Sequence, residues 1–197
     1  DRSQAHHDRH AGGPRNALAC PNRRGCDNNA MATACLGIGS NLGDRPRNLQ
    51  RAVDAVASID CVYLLRVAET IETEPMGPQD QGPYLNSAMT IATTLAPEVL
   101  HAALQKIELD LGRAPTKDRQ HWGPRVIDID LLLFDDQVIE TDTLTVPHPG
   151  MHERDFVLRP LASIAPDTIH PASGKTVAQL LAALQAVRTQ EAGVADG

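Results

Sequence analysis

The chain has 197 residues, 42% of them hydrophobic but only 3% aromatic, and a formal net charge of −7. That length fits one domain with a buried core. Residues 1–33 hold five Arg against three Asp while the remainder holds 13 basic and 22 acidic residues, and so acidic a body argues against nucleic acid as the main partner.

Taken in chain order, residues 1–33 are rich in Asp, Arg, His, Asn and Gly with no apolar period. They predict a disordered extension, with Met31 a candidate start, and His6, His7 and His10 read as part of a floppy tail. A domain then runs over 34–188. Cys35 to Gly39 predicts a short strand, and Ser40-Asn41-Leu42-Gly43 a turn. Asp44 caps a helix with Pro46 in its first turn and an apolar stripe at Leu49, Ala52, Val53 and Val56. Cys61 to Ile71 predicts a second strand, and Glu72 to Pro83, with three Pro, an irregular loop. Tyr84 to Thr94 predicts a third strand. Pro97 opens a second helix with its stripe at Leu100, Ala103, Leu104, Ile107 and Leu111, and Gly112 ends it. Val126 to Phe134 predicts a fourth strand.

The order strand, helix, strand, strand, helix, strand is that of an α+β, ferredoxin-like βαββαβ core, an antiparallel sheet flanked by helices. A hairpin over 138–146, a short helix near His152 to Leu158 and a helix over 177–187 follow, and residues 189–197 are expected to fray. Two glycine-rich pieces mimic nucleotide folds and fail. Gly37-x-Gly39 has Leu42 where the Rossmann pattern needs its third glycine, and Gly174-Lys175-Thr176 has Ile169 where a P-loop needs its first.

The most informative stretch is Trp122-Gly123-Pro124-Arg125-Val126-Ile127-Asp128-Ile129-Asp130. Ionised Asp in an apolar strand is costly unless paired or metal-bound. Strand alternation puts Val126, Asp128, Asp130, Leu132 and Phe134 on one face and Ile127, Ile129, Leu131 and Leu133 on the other, with the two acids about 6–7 Å apart. Such a pair can hold a hard cation or bridge two Mg²⁺ ions. Arg125 stands at the same strand end, and Arg113, Lys117, Arg119 and Arg125 form a basic island opposed only by Asp118. Carboxylates, metal and arginine side by side describe a polyphosphate site.

With these pieces placed, the sequence resembles the hydroxymethyl-dihydropterin pyrophosphokinase family of folate biosynthesis over roughly 34–184. The resemblance rests on Gly39-Ser40-Asn41-Leu42-Gly43, Gly77-Pro78-Gln79-Asp80-Gln81, Tyr84-Leu85-Asn86, Trp122-Gly123-Pro124-Arg125-x-x-Asp128-x-Asp130 and Thr145-Val146-Pro147-His148. It implies transfer of the β,γ-diphosphate of ATP, as co-substrate, to the hydroxymethyl group of 6-hydroxymethyl-7,8-dihydropterin, with release of AMP. It further implies that Asp128 and Asp130 hold two Mg²⁺ ions, with Arg125 and Arg113 assisting the transfer. ATP would be bound by Gln105, Glu108, Arg113, Trp122, Arg125, Leu131, Thr145, His148 and Arg154, Gln105 and Glu108 sharing an exposed helix face. The pterin would meet Thr73, Pro75, Met76, Tyr84, Asn86, Trp122, Asp128 and Phe156. A second loop arginine of the family falls at Pro115, where Lys117 or Arg119 would replace it, and Thr143 and Gly150 stand uncharged where other members carry basic residues.

Two other readings of the acidic pair are a metal-dependent nucleotide-sugar transferase, which gives Tyr84, Asn86 and Phe156 no role, and a non-catalytic ferredoxin-like binding domain. Cys20, Cys26, Cys35 and Cys61 have neither Cys-x-x-Cys nor zinc spacing, which predicts reduced thiols. No apolar run reaches membrane-spanning length and no signal-peptide core is visible. The expectation is a cytoplasmic monomer that binds small molecules and neither nucleic acid nor membrane.

Overall fold

The computed structural model describes residues 30–75, 81–114 and 123–195, with side chains up to residue 190. Residues 1–29 of the predicted extension, Met76, the block 77–80 and the stretch 115–122 with Lys117, Arg119 and Trp122 lie outside the described residues, whereas Ala32 and Thr33, expected in the extension, belong to the first strand.

Strand β1 (Ala32–Ser40) leads through a tight turn, with Gly43 at φ 66°, into helix α1 (Arg45–Ala57). As the sequence predicts, the Asp44 side chain accepts from the Arg47 N–H, and Leu49, Ala52, Val53 and Val56 form the buried face. The single strand expected over 61–71 is two: β2 (Val62–Val67) and β3 (Ile71–Thr73), paired in turn with one edge of β4 (Tyr84–Thr93). Helix α2 (Pro97–Asp110) ends before Gly112, whose φ of 101° breaks it. β5 (Asp128–Phe134) closes the sheet in the order β2-β4-β1-β5, all antiparallel, with β3 beside β4. This is the ferredoxin-like arrangement.

The hairpin is confirmed as β6 (Ile139–Glu140) and β7 (Thr145–Val146). The helix expected at 152–158 is a 3-10 turn (Met151–Glu153) followed by α3 (Asp155–Ile164). A small pair, β8 (Ile169–His170) with β9 (Lys175–Thr176), has no apolar alternation to announce it, and precedes α4 (Val177–Ala195). Among the described residues no helix is long and apolar enough to cross a membrane.

The sheet separates two cores. Leu36, Ile38, Met89, Ile91, Ile129 and Leu131 pack with α1 and α2, while Cys35, Ala88, Leu132 and Leu133 pack with α3 and α4. Strict alternation along β5 does not hold. Leu36 pairs with Leu131 but Cys35 with Leu133, so Leu132 is an extra residue, a β-bulge. Leu133 therefore joins Leu132 on the α3/α4 side, and Phe134 turns to the α1/α2 side. The order of Asp128, Ile129 and Asp130 lies before the bulge and keeps its alternation.

Cys35 is a buried free thiol whose pKa burial pushes up to about 12, so it stays protonated. Cys61 is disulfide-bonded, contrary to the expectation of reduced thiols.

Candidate active site

Register places the site. Gly39 of β1 lies between Asn86 of β4 and Asp128 of β5, and one pleat along, Gly37 lies between Ala88 and Asp130. Adjacent strands are about 4.8 Å apart, so Asn86 and Asp128 stand roughly 10 Å from each other across a residue with no side chain. A cavity of about 280 Å³ opens over this row, on the face shared with α3. Gly39 is needed there. A Cβ at that position would come within 2.8 Å of Asn86 Oδ1.

Acid and cation lie at one end of the cavity. Asp128 is ion-paired with Arg125 and, at 2.5 Å, with Arg113, which also pairs with Glu108. Burial works against the charge of Arg125, but Asp128 more than offsets it and raises the guanidinium pKa above its ordinary value. On Asp130 the charges of Arg154 and Arg113 count for less than burial and the neighbouring acids. Cavity walls on most sides, then the neighbouring Asp128 and Glu108, push its pKa up to about 7, although 35% of its side chain is open to the cavity. His148 Nε2 lies 3.9 Å from Asp130 Oδ2, and burial followed by Arg154 lowers the imidazole pKa. The ring is neutral at pH 7, so this contact is no ion pair.

The other end is aromatic and amide. Tyr84, Asn86 and Phe156 line it with Thr73. Asn86 Nδ2 donates to Thr73 Oγ1 at 2.8 Å, which leaves Oδ1 facing the Gly39 gap. Burial raises the Tyr84 pKa, so its hydroxyl keeps its proton and donates to the Gly123 carbonyl at 3.3 Å.

Of the residues expected in the site, Thr73, Tyr84, Asn86, Arg125, Asp128, Asp130, His148, Arg154 and Phe156 line this one cavity. Leu131 and Thr145 line an adjoining cavity of about 290 Å³ that shares Asp130 and His148 with the first. Arg113 reaches the site through Asp128. Pro75 is buried and does not line the cavity, and Gln105 is exposed on α2 away from both. Glu108 corrects an expectation. It is 2% exposed rather than on an open face, and its Oε1 accepts the Ile129 N–H at 2.7 Å. β5 is the sheet edge, and its outward N–H must find an acceptor.

Sequence reasoning assigned no role to Asn41, which ties the site walls together. Its N–H donates to the Arg125 carbonyl at 3.0 Å, its Oδ1 accepts the Arg125 N–H at 2.7 Å, and its Nδ2 donates to Gln81 Oε1 at 3.0 Å and to the Gly82 carbonyl at 3.3 Å. Arg45 holds the same loop through the Pro83 carbonyl and Glu72. The only sequence signal for Asn41 and Gly39 was their place in one motif block, which names residues without naming their contacts.

Mg²⁺ fits these residues. The ion takes one or two carboxylates and completes its shell with water and phosphate. Asp128 and Asp130 form such a pair, and the second of them is held uncomfortably by the first. Among the described residues no group of three or more His, Cys, Asp or Glu side chains forms a metal cage.

Comparison with known proteins shows the family and the fold. Residues 35–166 match the model of the family described as 7,8-dihydro-6-hydroxymethylpterin-pyrophosphokinase. The chain is 46% identical to the 2-amino-4-hydroxy-6-hydroxymethyldihydropteridine pyrophosphokinase of Bacillus subtilis, over 66% of this chain and 77% of that one. It is 40% identical to the Aquifex aeolicus protein of the same name, over 72% and 85%. The folic acid synthesis protein fol1 of Schizosaccharomyces pombe is 43% identical over 70% of this chain, which spans only 18% of that protein. A Plasmodium falciparum structure named HPPK-DHPS superposes with a TM-score of 0.66 at 12% identity, covering 85% of this chain and 46% of that one, and so supports the fold. By family model and by identity over most of its bacterial relatives' length, the chain belongs to the 7,8-dihydro-6-hydroxymethylpterin-pyrophosphokinase family.

Proposed function

We propose that the protein transfers diphosphate from ATP to the hydroxymethyl group of 6-hydroxymethyl-7,8-dihydropterin, a step of folate biosynthesis, with the site residues acting as follows. The observation that carries this reading is the row Asn86-Gly39-Asp128, which joins an aromatic and amide half to an acidic and cationic half across one gap. The flat pterin lies between Tyr84 and Phe156, and Asn86 Oδ1 reads its edge. Its hydroxymethyl group then points along the row toward Asp128. The triphosphate lies against Arg125 and Arg154, whose guanidinium forks match phosphate oxygens, and runs past His148 into the second cavity, where Leu131 and Thr145 meet the nucleoside.

The alcohol oxygen attacks the β-phosphorus, the bond from that phosphorus to the α,β-bridging oxygen breaks, AMP departs, and the alcohol proton passes to solvent. Asp128 and Asp130 would hold the two Mg²⁺ ions, which when bound would supply charge neutralisation on the triphosphate and a lowered pKa for the alcohol. Arg113 and Arg125 hold Asp128 in place and offer their remaining N–H groups to phosphate. Phosphoryl transfer asks the protein mainly to position and to neutralise, and among the described residues no side chain is placed as a general base.

We take the predicted domain, 34–188, as the catalytic one, extended to Ala32 where β1 begins and to Ala195 where α4 ends, acting as a monomer because one chain supplies both halves of the site. ATP as donor argues for the cytoplasm. The test is incubation with ATP, Mg²⁺ and the hydroxymethyl pterin. AMP and the pterin diphosphate in equal amounts are expected, and an absence of AMP at every pterin concentration overturns the reading.

A further inference from the structure

Beyond Ser40 the pairing of β1 with its neighbours ends, and the turn that follows sits between the entries to β4 and β5, which flank β1. Asn41 takes over there. It is 7% exposed and lines neither cavity, yet both ends of its amide are engaged, Oδ1 by the Arg125 N–H and Nδ2 by Gln81 Oε1 and the Gly82 carbonyl. The turn itself is pinned to α1. Asn48 Nδ2 donates to the Leu42 carbonyl at 2.9 Å and to Ser40 Oγ at 3.4 Å, and Ser40 is fully buried.

Each wall of the site carries its own binding groups without Asn41. Tyr84 opens β4 on the wall that Gln81 and Gly82 lead into, while Arg125 pairs with Asp128 on the other. Asn41 fixes the spacing between the two, since one side chain holds both the backbone that enters β4 and the backbone that enters β5. Asparagine suits this post. Its short amide presents an acceptor and a donor together, and without them buried backbone groups on both walls lose a partner. The Tyr84 hydroxyl on the Gly123 carbonyl, at 3.3 Å, is a longer strut across the same gap.

We propose that Asn41 is a positioning residue for the transfer, setting the separation of the pterin wall from the phosphate wall and with it the approach of the alcohol oxygen to the β-phosphorus. The inference rests on the reading above, in which the two substrates lie in the two halves of the first cavity. Reacting atoms must come within about 3–3.5 Å in line, and a misplacement of about 1 Å costs about a hundredfold in rate. Asn41 touches neither substrate. Its loss therefore leaves the contacts of each substrate in place, while the two no longer meet in line.

The test measures single-turnover AMP formation with both substrates saturating, beside the separate dissociation constants of the hydroxymethyl pterin and of a nonhydrolysable ATP analogue with Mg²⁺. In Asn41→Ala, which cuts both side-chain ties, the rate is expected to fall about a hundredfold while each dissociation constant stays within about threefold of the parent's. Asn41→Asp keeps the acceptor for the Arg125 N–H and, ionised, loses the donor for the Gly82 carbonyl. Its rate is expected between those of Asn41→Ala and the parent, at least about tenfold down, and it carries the test alone should Asn41→Ala not fold. A folded variant whose rate lies within about threefold of the parent's overturns the proposal, and so does one whose loss of rate is matched by an equal loss of affinity for either substrate. Parent protein that makes no AMP from ATP defeats this proposal together with the reading it rests on, whereas a working parent with an unimpaired Asn41→Asp defeats this proposal alone.

Discussion

Two carboxylates two residues apart on one strand face are held in opposite ways. Asp128 is gripped by Arg113 and Arg125, whereas Asp130 is surrounded by protein and by other acids, with a pKa of about 7 against an ordinary 3.8. A carboxyl whose folded pKa lies above its unfolded value favours folding while it stays protonated. That contribution is present below about pH 4 and is lost as pH rises toward 7. Asp130→Asn is therefore expected to raise the melting temperature of the metal-free protein at pH 8, to flatten its stability between pH 4 and pH 7, and to lower turnover by about a thousandfold or more. Millimolar Mg²⁺ should stabilise the parent and not the variant. Thermal denaturation across pH, with and without Mg²⁺, checks the first part, and steady-state kinetics the second. Equal turnover in variant and parent would remove the metal assignment.

Between elements, the site depends on contacts that span strands and helices. Gly39 leaves the gap that Asn86 Oδ1 faces, and a methyl group there would stand 2.8 Å from that oxygen. Gly39→Ala is expected to push the amide aside and raise KM for the pterin about tenfold or more, with a smaller effect on KM for ATP. A proportional change in both constants would mean that the gap is merely structural. Glu108 joins α2 to β5 by accepting the Ile129 N–H and pairing with Arg113, whose side chain is only 10% exposed. Glu108→Ala orphans the Ile129 N–H and leaves Arg113 with Asp128 as its partner, and urea unfolding should report a loss of about 3 kcal/mol. Glu108→Gln keeps an acceptor for Ile129 and should cost less.

On the scale of the whole molecule, the sheet holds a core on each face, and the row of Asn86, Gly39 and Asp128 lies on the α3/α4 side. Leu158 and Leu161 of α3 are fully buried beneath that side. Leu158→Ala is expected to cost 2–5 kcal/mol by leaving a cavity, measured by denaturation. Because α3 also carries Phe156 and follows Arg154 directly, a shift of this helix should weaken binding of both substrates together.

The order of the main elements, the Asp44 cap, the apolar stripe of α1, and the sharing of one strand face by Asp128 with Asp130 and by Tyr84 with Asn86 were legible in the chain. Each is a matter of local spacing or of a side chain's own acid-base and stacking character. The Leu132 bulge, the burial of Glu108 and the Asn41 tie were not, because each depends on the distance between elements far apart in sequence. A strand bulges according to what its neighbour's register requires, and a glutamate on a helix is exposed or buried according to whether an unpaired strand edge lies against it. Spacing along the chain decided which groups stand together on one element, and packing alone decided which of them meet across the gap.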